Sequence, residues 1–179
     1  MIHHHHTHKA HHPAKPKQLF TLVELVLVLI IIGFVLRLSF HSVKNQLPAI
    51  KLEAAAKKLS IDLEYAKNLA LSTSSWSGVF FEVEPANKYR FIKADKNGAG
   101  PVENPGAPGQ DFVVNLYDFY KGVAVQAASP LEVWFDPLGI PYAGLHGSLL
   151  SQTAVVTLEY QSVIKMISIS PNTGRIKVI

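Results

Sequence analysis

Glu24 is the residue whose chemical type fits its surroundings least. It is the single charged side chain in residues 19–36, which are otherwise almost entirely aliphatic or aromatic. An ionised carboxylate in hydrocarbon costs about 2.5–3.5 kcal/mol on insertion scales, so Glu24 needs a partner of opposite charge. The alternative is that Glu24, near the start of the segment, lies at the membrane interface and snorkels or stays protonated.

Histidine is the second residue type with chemical potential, and it is concentrated at the N-terminus. Neutral imidazoles bind borderline metals, but this run is irregular and has no carboxylates to orient the rings. A polar leader or a remnant of cloning accounts for it as well. We expect residues 1–19 to form a basic, unstructured leader without a metal, containing His3, His4, His5, His6, His8, His11 and His12.

The rest of the chain offers little for catalysis. It has no cysteine, which excludes disulfides, a thiol nucleophile and thiolate metal sites. There is no G-x-S-x-G motif, and His41 and His146 are isolated in the sequence. We therefore expect no enzymatic activity, no cofactor and no metal.

Three of the four net positive charges of the chain come from the leader. Lys9, Lys15 and Lys17 precede the apolar segment, and the chain from Gln18 onward carries 14 basic and 13 acidic side chains. A positive flank is typical of the cytoplasmic side of a membrane span. The charge therefore predicts an N-in, C-out orientation, not a nucleic-acid-binding protein.

The elements that position Glu24 follow from the hydrophobic pattern. The apolar stretch of about 18 residues, at 1.5 Å per residue, is roughly 27 Å long, which is close to the thickness of a bilayer. It exceeds the apolar core of a secretory signal peptide, and Arg37 follows it without a small-residue cleavage site. We assign residues 20–36 to a transmembrane helix.

Residues 37–75 continue as an amphipathic helix, with a kink or a break expected near residues 45–48 because of Pro48. Leu59, Leu63 and Ala66 are predicted to face a sheet, with Lys57, Lys58 and Asp62 off the apolar stripe. Residues 76–179 alternate with a period of two, which predicts seven or eight short strands, and residues 97–109 are too rich in glycine and proline for regular structure. The fold class is α+β, a long N-terminal helix packed on an antiparallel sheet.

The N-terminal residues carry a family resemblance. Residues 15–33, in which Phe20-Thr-Leu-Val-Glu24 follows Lys15 and Lys17, resemble the class III signal of type IV prepilins and type II secretion pseudopilins. In that family a membrane aspartyl peptidase cuts before a phenylalanine on the cytoplasmic side and methylates the new amine. The resemblance implies cleavage between Leu19 and Phe20 and methylation of Phe20. It also implies that Glu24 pairs with the N-terminal amine of a neighbouring subunit, an arrangement that neutralises both charges in the membrane.

Leu19 departs from the family pattern. The family places glycine, less often alanine, immediately before the cut. A leucine there is compatible with slowed or blocked cleavage, with an engineered uncleavable form, or with an unusual peptidase that tolerates it.

The head carries a second resemblance. Residues 59–70 resemble the helix of H-type minor pseudopilins and related minor pilins, and residues 135–139 and 167–178 resemble their strand-turn and C-terminal hairpin. In physical terms, Asp136-Pro-Leu-Gly139 suits a type I turn, and Asn172-Thr-Gly174 supplies residues that tolerate positive φ.

The leading hypothesis is therefore a minor pseudopilin or minor pilin, anchored in the inner membrane with a periplasmic head. Its implied partners are other pilin or pseudopilin subunits, the prepilin peptidase, the inner-membrane assembly platform and the lipid bilayer. The alternative is a minor pilin that binds DNA for uptake through Arg175 and Lys177, although two cations on a nearly neutral head are a weak basis for a nucleic-acid partner.

Overall fold

One long helix, α1, forms the N-terminal part of the structure. The computed structural model describes residues 21–95 and 98–179, with the backbone alone for residues 38–46. Helix α1 runs over Leu22–Thr73 and continues through Pro48. The break that we considered at this proline is wrong, since the loss of one hydrogen bond is tolerated between long helical stretches on both sides.

The chain divides into two units between Ser42 and Val43. The head contains the rest of α1, a short helix and eleven strands in the described part of the chain. Their bounds are β1 Trp76–Glu82, β2 Lys88–Asp95, β3 Gly98–Pro101, β4 Val113–Asn115, α2 Leu116–Phe119, β5 Ala124–Ser129, β6 Glu132–Phe135, β7 Pro141–Ala143, β8 Ser148–Leu149, β9 Ala154–Tyr160, β10 Val163–Ile169 and β11 Ile176–Val178.

The strands form two antiparallel sheets. The larger has the order β3-β2-β1-β6-β7-β8, with β4 also paired to β2, and the smaller has the order β11-β10-β9-β5. The prediction that residues 97–109 lack regular structure is wrong for β3, which pairs with β2. Backbone hydrogen bonds to an existing strand outweigh the poor strand propensity of glycine and proline at a sheet edge.

The apolar stripe of α1 is buried, as predicted, but it packs against two sheets where one was expected. Leu59, Leu63 and Ala66 are fully buried, together with strand residues such as Phe91 and Ile167. Tyr65 anchors the helix on the larger sheet, with its ring edge-on to Phe91 at 5.7 Å between centroids. The predicted α+β class, a helix on antiparallel sheet, is confirmed.

Gly78 sets the spacing on the other face of the larger sheet. A Cβ atom at this position would lie 2.7 Å from the carbonyl oxygen of Val133 and 2.8 Å from the indole of Trp134. Trp134 is almost fully buried, and its Nε1 donates a hydrogen bond of 3.0 Å to Glu132. Only glycine at this position lets the indole of Trp134 lie directly against β1.

Candidate assembly interface

Thr21 caps the start of α1. Its hydroxyl accepts a hydrogen bond of 3.3 Å from the backbone N–H of Glu24, and its carbonyl accepts one from the N–H of Leu25. A helix leaves its first N–H groups without internal partners, and a threonine at this position satisfies one of them. The sequence signature Thr-x-x-Glu, from Thr21 to Glu24, is the local signal that indicates this helix start.

The apolar side chains that follow the cap lie on the surface. Every large apolar residue from Leu22 to Leu36 is exposed, with exposed fractions from 42% for Val28 to 79% for Leu22. None of the helices in the described part of the chain has the length and apolar character that crossing a membrane requires. An exposed apolar surface of this extent marks an interaction site.

Glu24 lies in the first turn of this exposed stretch. Among residues 21–95 and 98–179, none forms a hydrogen bond or an ion pair with its carboxylate. The carboxylate is therefore available to a group from outside these residues. Leu19 and Phe20, the predicted cleavage site and methylated N-terminus, and the histidine-rich leader lie outside the described residues.

The prediction for Asp62, on the head part of α1, is wrong. The pattern placed it off the apolar stripe, but it is 5% exposed. Lys58 donates to its Oδ1 at 2.6 Å, and the hydroxyl of Tyr89 donates to its Oδ2. A buried carboxylate is tolerated because both oxygens have donors, one of them charged.

The same contact perturbs Tyr89. Burial raises the pKa of the Tyr89 phenol, and the neighbouring negative charge and hydrogen bond of Asp62 raise it further. Both effects disfavour a phenolate. Tyr89 therefore remains a neutral donor, which links α1 to β2. No pattern in the sequence indicated this pair, because the two residues are 27 positions apart.

The two predicted turns of the head lie together. In the first, the N–H of Gly139 donates to the carbonyl of Asp136 at 2.8 Å, and Asp136 Oδ1 accepts from the N–H groups of Leu138 and Ile140. In the second, Asn172 and Gly174 adopt positive φ angles of 63° and 58°.

Lys67 connects α1 to the second turn. Its ammonium group donates to the carbonyl oxygens of Thr173 at 3.1 Å and Gly174 at 3.2 Å. Gly174 in turn lies so close to the first turn that an added Cβ would be 2.7 Å from the carbonyl oxygen of Gly139. The segments that carried the resemblance in the head therefore form one connected structure.

The remaining predicted site residues are exposed. Arg175 lies just before β11, and Lys177 lies within it, paired with Ser168 of β10. Lys67, the nearby cation, is already bound to carbonyl groups. No group of three or more histidine, aspartate and glutamate side chains in the described part of the chain could hold a metal ion.

Comparison with known proteins gives a match in structure and none in sequence. No family model matches the chain, and no curated protein does. The minor pseudopilin EpsH from the type 2 secretion system of Vibrio cholerae is similar with a TM-score of 0.52 and 10% identity, over 72% of this chain and 96% of that one. The type IV minor pilin FimU of Pseudomonas aeruginosa is similar with a TM-score of 0.50 and 14% identity, over 73% of this chain and 90% of that one.

The chain has the pilin-like fold. The resemblance that the sequence showed to this family is confirmed at the level of the fold. Sequence identities of 10% and 14% carry no residue-level role across, so the functions of Glu24, Phe20, Arg175 and Lys177 in this pilin-like chain stay predictions.

Proposed function

We propose that the chain is a structural subunit of a type II secretion pseudopilus or a type IV pilus-like filament, of the minor pseudopilin or minor pilin kind. One observation carries the proposal: thirteen large apolar side chains between Leu22 and Leu36 are exposed on a helix that continues into a pilin-like head. A soluble protein gains nothing from such a surface, whereas membrane lipid and neighbouring helices both cover it.

Before assembly, the proposed location is the inner membrane, with the N-terminus in the cytoplasm and the head in the periplasm. The lysines of the leader set this orientation. The assembly platform and the neighbouring subunits then replace lipid around the apolar segment as the filament forms.

Glu24 acts as an assembly register in this proposal. The amine of a mature Phe20 from a neighbouring subunit pairs with the Glu24 carboxylate, which is without a partner in the described residues. Two opposite charges that meet in an apolar environment neutralise each other, and each alone is penalised there. This pairing requires the prepilin peptidase to cut between Leu19 and Phe20.

The proposal is tested by incorporation of a tagged chain into filaments of cells that express the other subunits. Glu24→Ala is expected to leave the head folded and to lower the amount of chain in the sheared filament fraction severalfold. Glu53→Ala is the matched control, because Glu53 is an exposed glutamate on the same helix whose ion pair among the described residues is with Lys165. Normal incorporation of the Glu24 variant would refute the pairing role.

Processing is measured separately. The intact mass of the membrane-extracted chain shows whether residues 1–19 have been removed and whether Phe20 carries a methyl group. We expect a methylated chain that begins at Phe20. A full-length mass from filaments would show that assembly proceeds without the free amine and would refute the proposed pairing.

A further inference from the structure

The larger sheet carries a groove on its outer face, the face that points away from α1. Alternation along β1 turns Val79 and Phe81 inward, where both are buried with the stripe of α1, and turns Phe80 outward. The groove has a volume of about 510 Å³, and its apolar lining consists of Phe80, Ile92, Pro101, Val113, Trp134 and Leu145. Val113 is 41% exposed, so the described part of the chain leaves the groove open.

Two carboxylates line this groove without a cation. Asp111 is exposed and Glu132 is half-buried, and neither forms an ion pair with a described residue. Nε1 of Trp134 donates to Oε2 of Glu132 at 3.0 Å, which holds the carboxylate in place but does not neutralise it. A partly desolvated charge is stabilised by a partner of opposite charge. The groove therefore favours a cation from outside.

Among the described residues, Arg90 is the cation that lines the groove, and it is engaged elsewhere. Its guanidinium lies over the ring of Phe80, 4.7 Å from the centroid. Its Nε lies 3.9 Å from Oε1 of Glu82, and it forms an ion pair with neither Asp111 nor Glu132. The charge that the groove offers to a partner is therefore negative.

An arginine side chain matches both the charge and the apolar lining of the groove. Its guanidinium can donate two parallel hydrogen bonds to one carboxylate, while its methylene stem contacts apolar side chains. Lysine presents a compact and more strongly hydrated charge without the planar fork. An anionic group is repelled by Asp111 and Glu132, and a purely apolar group leaves both carboxylates without a cation. Arginine is also one of the residues that contribute most to protein interfaces.

The position of the groove favours an arginine that belongs to a protein chain. Strand β3 is the end strand of the larger sheet, and its residues Ala99, Gly100 and Pro101 line the groove. Ala99 and Gly100 have little or no side chain to obstruct an approaching backbone. An extended segment can therefore pass this edge with its arginine in the groove and its apolar neighbours on the lining.

We propose that the groove on the outer face of the larger sheet binds an arginine-bearing segment of another protein. The guanidinium pairs with Glu132 and Asp111, and apolar residues on either side of the arginine pack against the lining. This surface gives the head a recognition site of its own, separate from the apolar segment of α1. Its binding is expected whether or not the chain enters filaments.

Peptide binding tests this site, because the fluorescence of Trp134 reports on the groove that it lines. With Trp76→Phe, the full-length chain in detergent micelles has Trp134 as its one tryptophan. The probe is the peptide acetyl-Gly-Leu-Arg-Leu-Gly-amide, and we expect a saturable change in the emission of Trp134. The same peptide with citrulline in place of arginine keeps the shape and loses the charge, so it is expected to bind about tenfold more weakly. The lysine peptide is expected to bind severalfold more weakly than the arginine peptide.

Removal of charge from the groove is the second arm. Glu132→Gln keeps an oxygen that can accept from Trp134, and Asp111→Asn changes an exposed side chain, so both variants are expected to fold. Each is expected to lower the affinity for the arginine peptide about tenfold, and the double variant is expected to bind the arginine and citrulline peptides equally. Asp118→Asn is the matched control, because Asp118 is an exposed carboxylate on α2 outside the groove lining.

Three results with the peptides would overturn the proposal. They are equal affinity for the arginine peptide and either of the other two, no spectral change at millimolar peptide, and unchanged binding by the Asp111 and Glu132 variants. The mass of the full-length chain in the same micelles tests a second copy as the occupant. A dimer that both Arg175→Gln and Glu132→Gln dissociate would assign the groove to that copy and would overturn the proposal of a different protein.

Discussion

Removing the hydroxyl of Tyr89 gives a quantitative test of the buried contact between α1 and the larger sheet. In Tyr89→Phe, Asp62 keeps Lys58 but loses one of its two donors. A hydrogen bond to a charged group contributes about 1.5–3 kcal/mol. Because Asp62 and Tyr89 are both buried, solvent provides little compensation, and we expect the free energy of unfolding to fall by about that amount at pH 7.

The pH dependence supplies a sharper signature. The pKa of Tyr89 is raised in the folded state above its unfolded value of 10.0. Its contribution to stability is therefore fully present below pH 10 and decreases as the pH rises above 10, because the unfolded chain can release the proton. At pH 11 the linkage relation gives a loss on the order of 1 kcal/mol from this one group. Tyr89→Phe lacks this loss, so the stability difference between the two proteins must narrow by about that amount.

Urea unfolding followed by tryptophan fluorescence measures both quantities, because the two tryptophans, Trp76 and Trp134, lie in the head. Tyr117→Phe is the matched control, since Tyr117 is 50% exposed and its hydroxyl has no partner among the described residues. Equal stability of the two variants at pH 7, or a difference for Tyr89→Phe that stays constant up to pH 11, would refute the account of this contact.

Three further predictions concern single contacts. Lys67→Met keeps the aliphatic chain but removes the donor to two partly exposed carbonyl groups, so we expect the free energy of unfolding to fall by about 1–2 kcal/mol and amide exchange in residues 170–176 to become faster. Unchanged exchange would contradict the proposed stabilisation of the second turn by Lys67. Gly78→Ala displaces Trp134, so we expect the free energy of unfolding to fall by about 1–3 kcal/mol and the tryptophan emission spectrum to shift. An unchanged spectrum would argue against close packing of Trp134 on Gly78. Thr21→Ala removes the helix cap and is expected to lower the stability of the helix by about 0.5–2 kcal/mol, so that the amide of Glu24 exchanges faster in micelles. An equal exchange rate in the two proteins would show that the cap is not formed in micelles.

The sequence predicted the features that depend on local pattern. The buried stripe containing Leu59, Leu63 and Ala66 follows from helical periodicity, and the turns at Asp136 and Asn172 follow from backbone preferences that these residues carry wherever they occur. A family resemblance spread over the N-terminal segment and these turns was enough to indicate the pilin-like fold, which the structure confirms.

Features that depend on long-range pairing could not be predicted. The sequence pattern predicts Asp62 off the apolar stripe because a carboxylate is ordinarily exposed, and only the contact between α1 and Tyr89 on β2 makes its burial favourable. Strand β3 was missed because its glycine-rich sequence has little strand propensity of its own and is held by pairing with β2. In both cases a partner distant in the sequence determines the local structure.

The candidate site, too, was predictable only in part. Glu24 was identifiable because a charge in an apolar segment is conspicuous, and the structure adds the cap at Thr21 and the exposed apolar row.

Fractionation of cells that produce the unaltered chain shows whether it enters filaments. A tagged full-length chain is produced in cells with and without the other filament subunits, and its amount is measured in membranes and in sheared filaments. We predict that the chain moves from the membrane fraction into the filament fraction only when the other subunits are present. A chain that stays in the same fraction in both strains, although its head is folded, would contradict the proposal that this protein is a filament subunit.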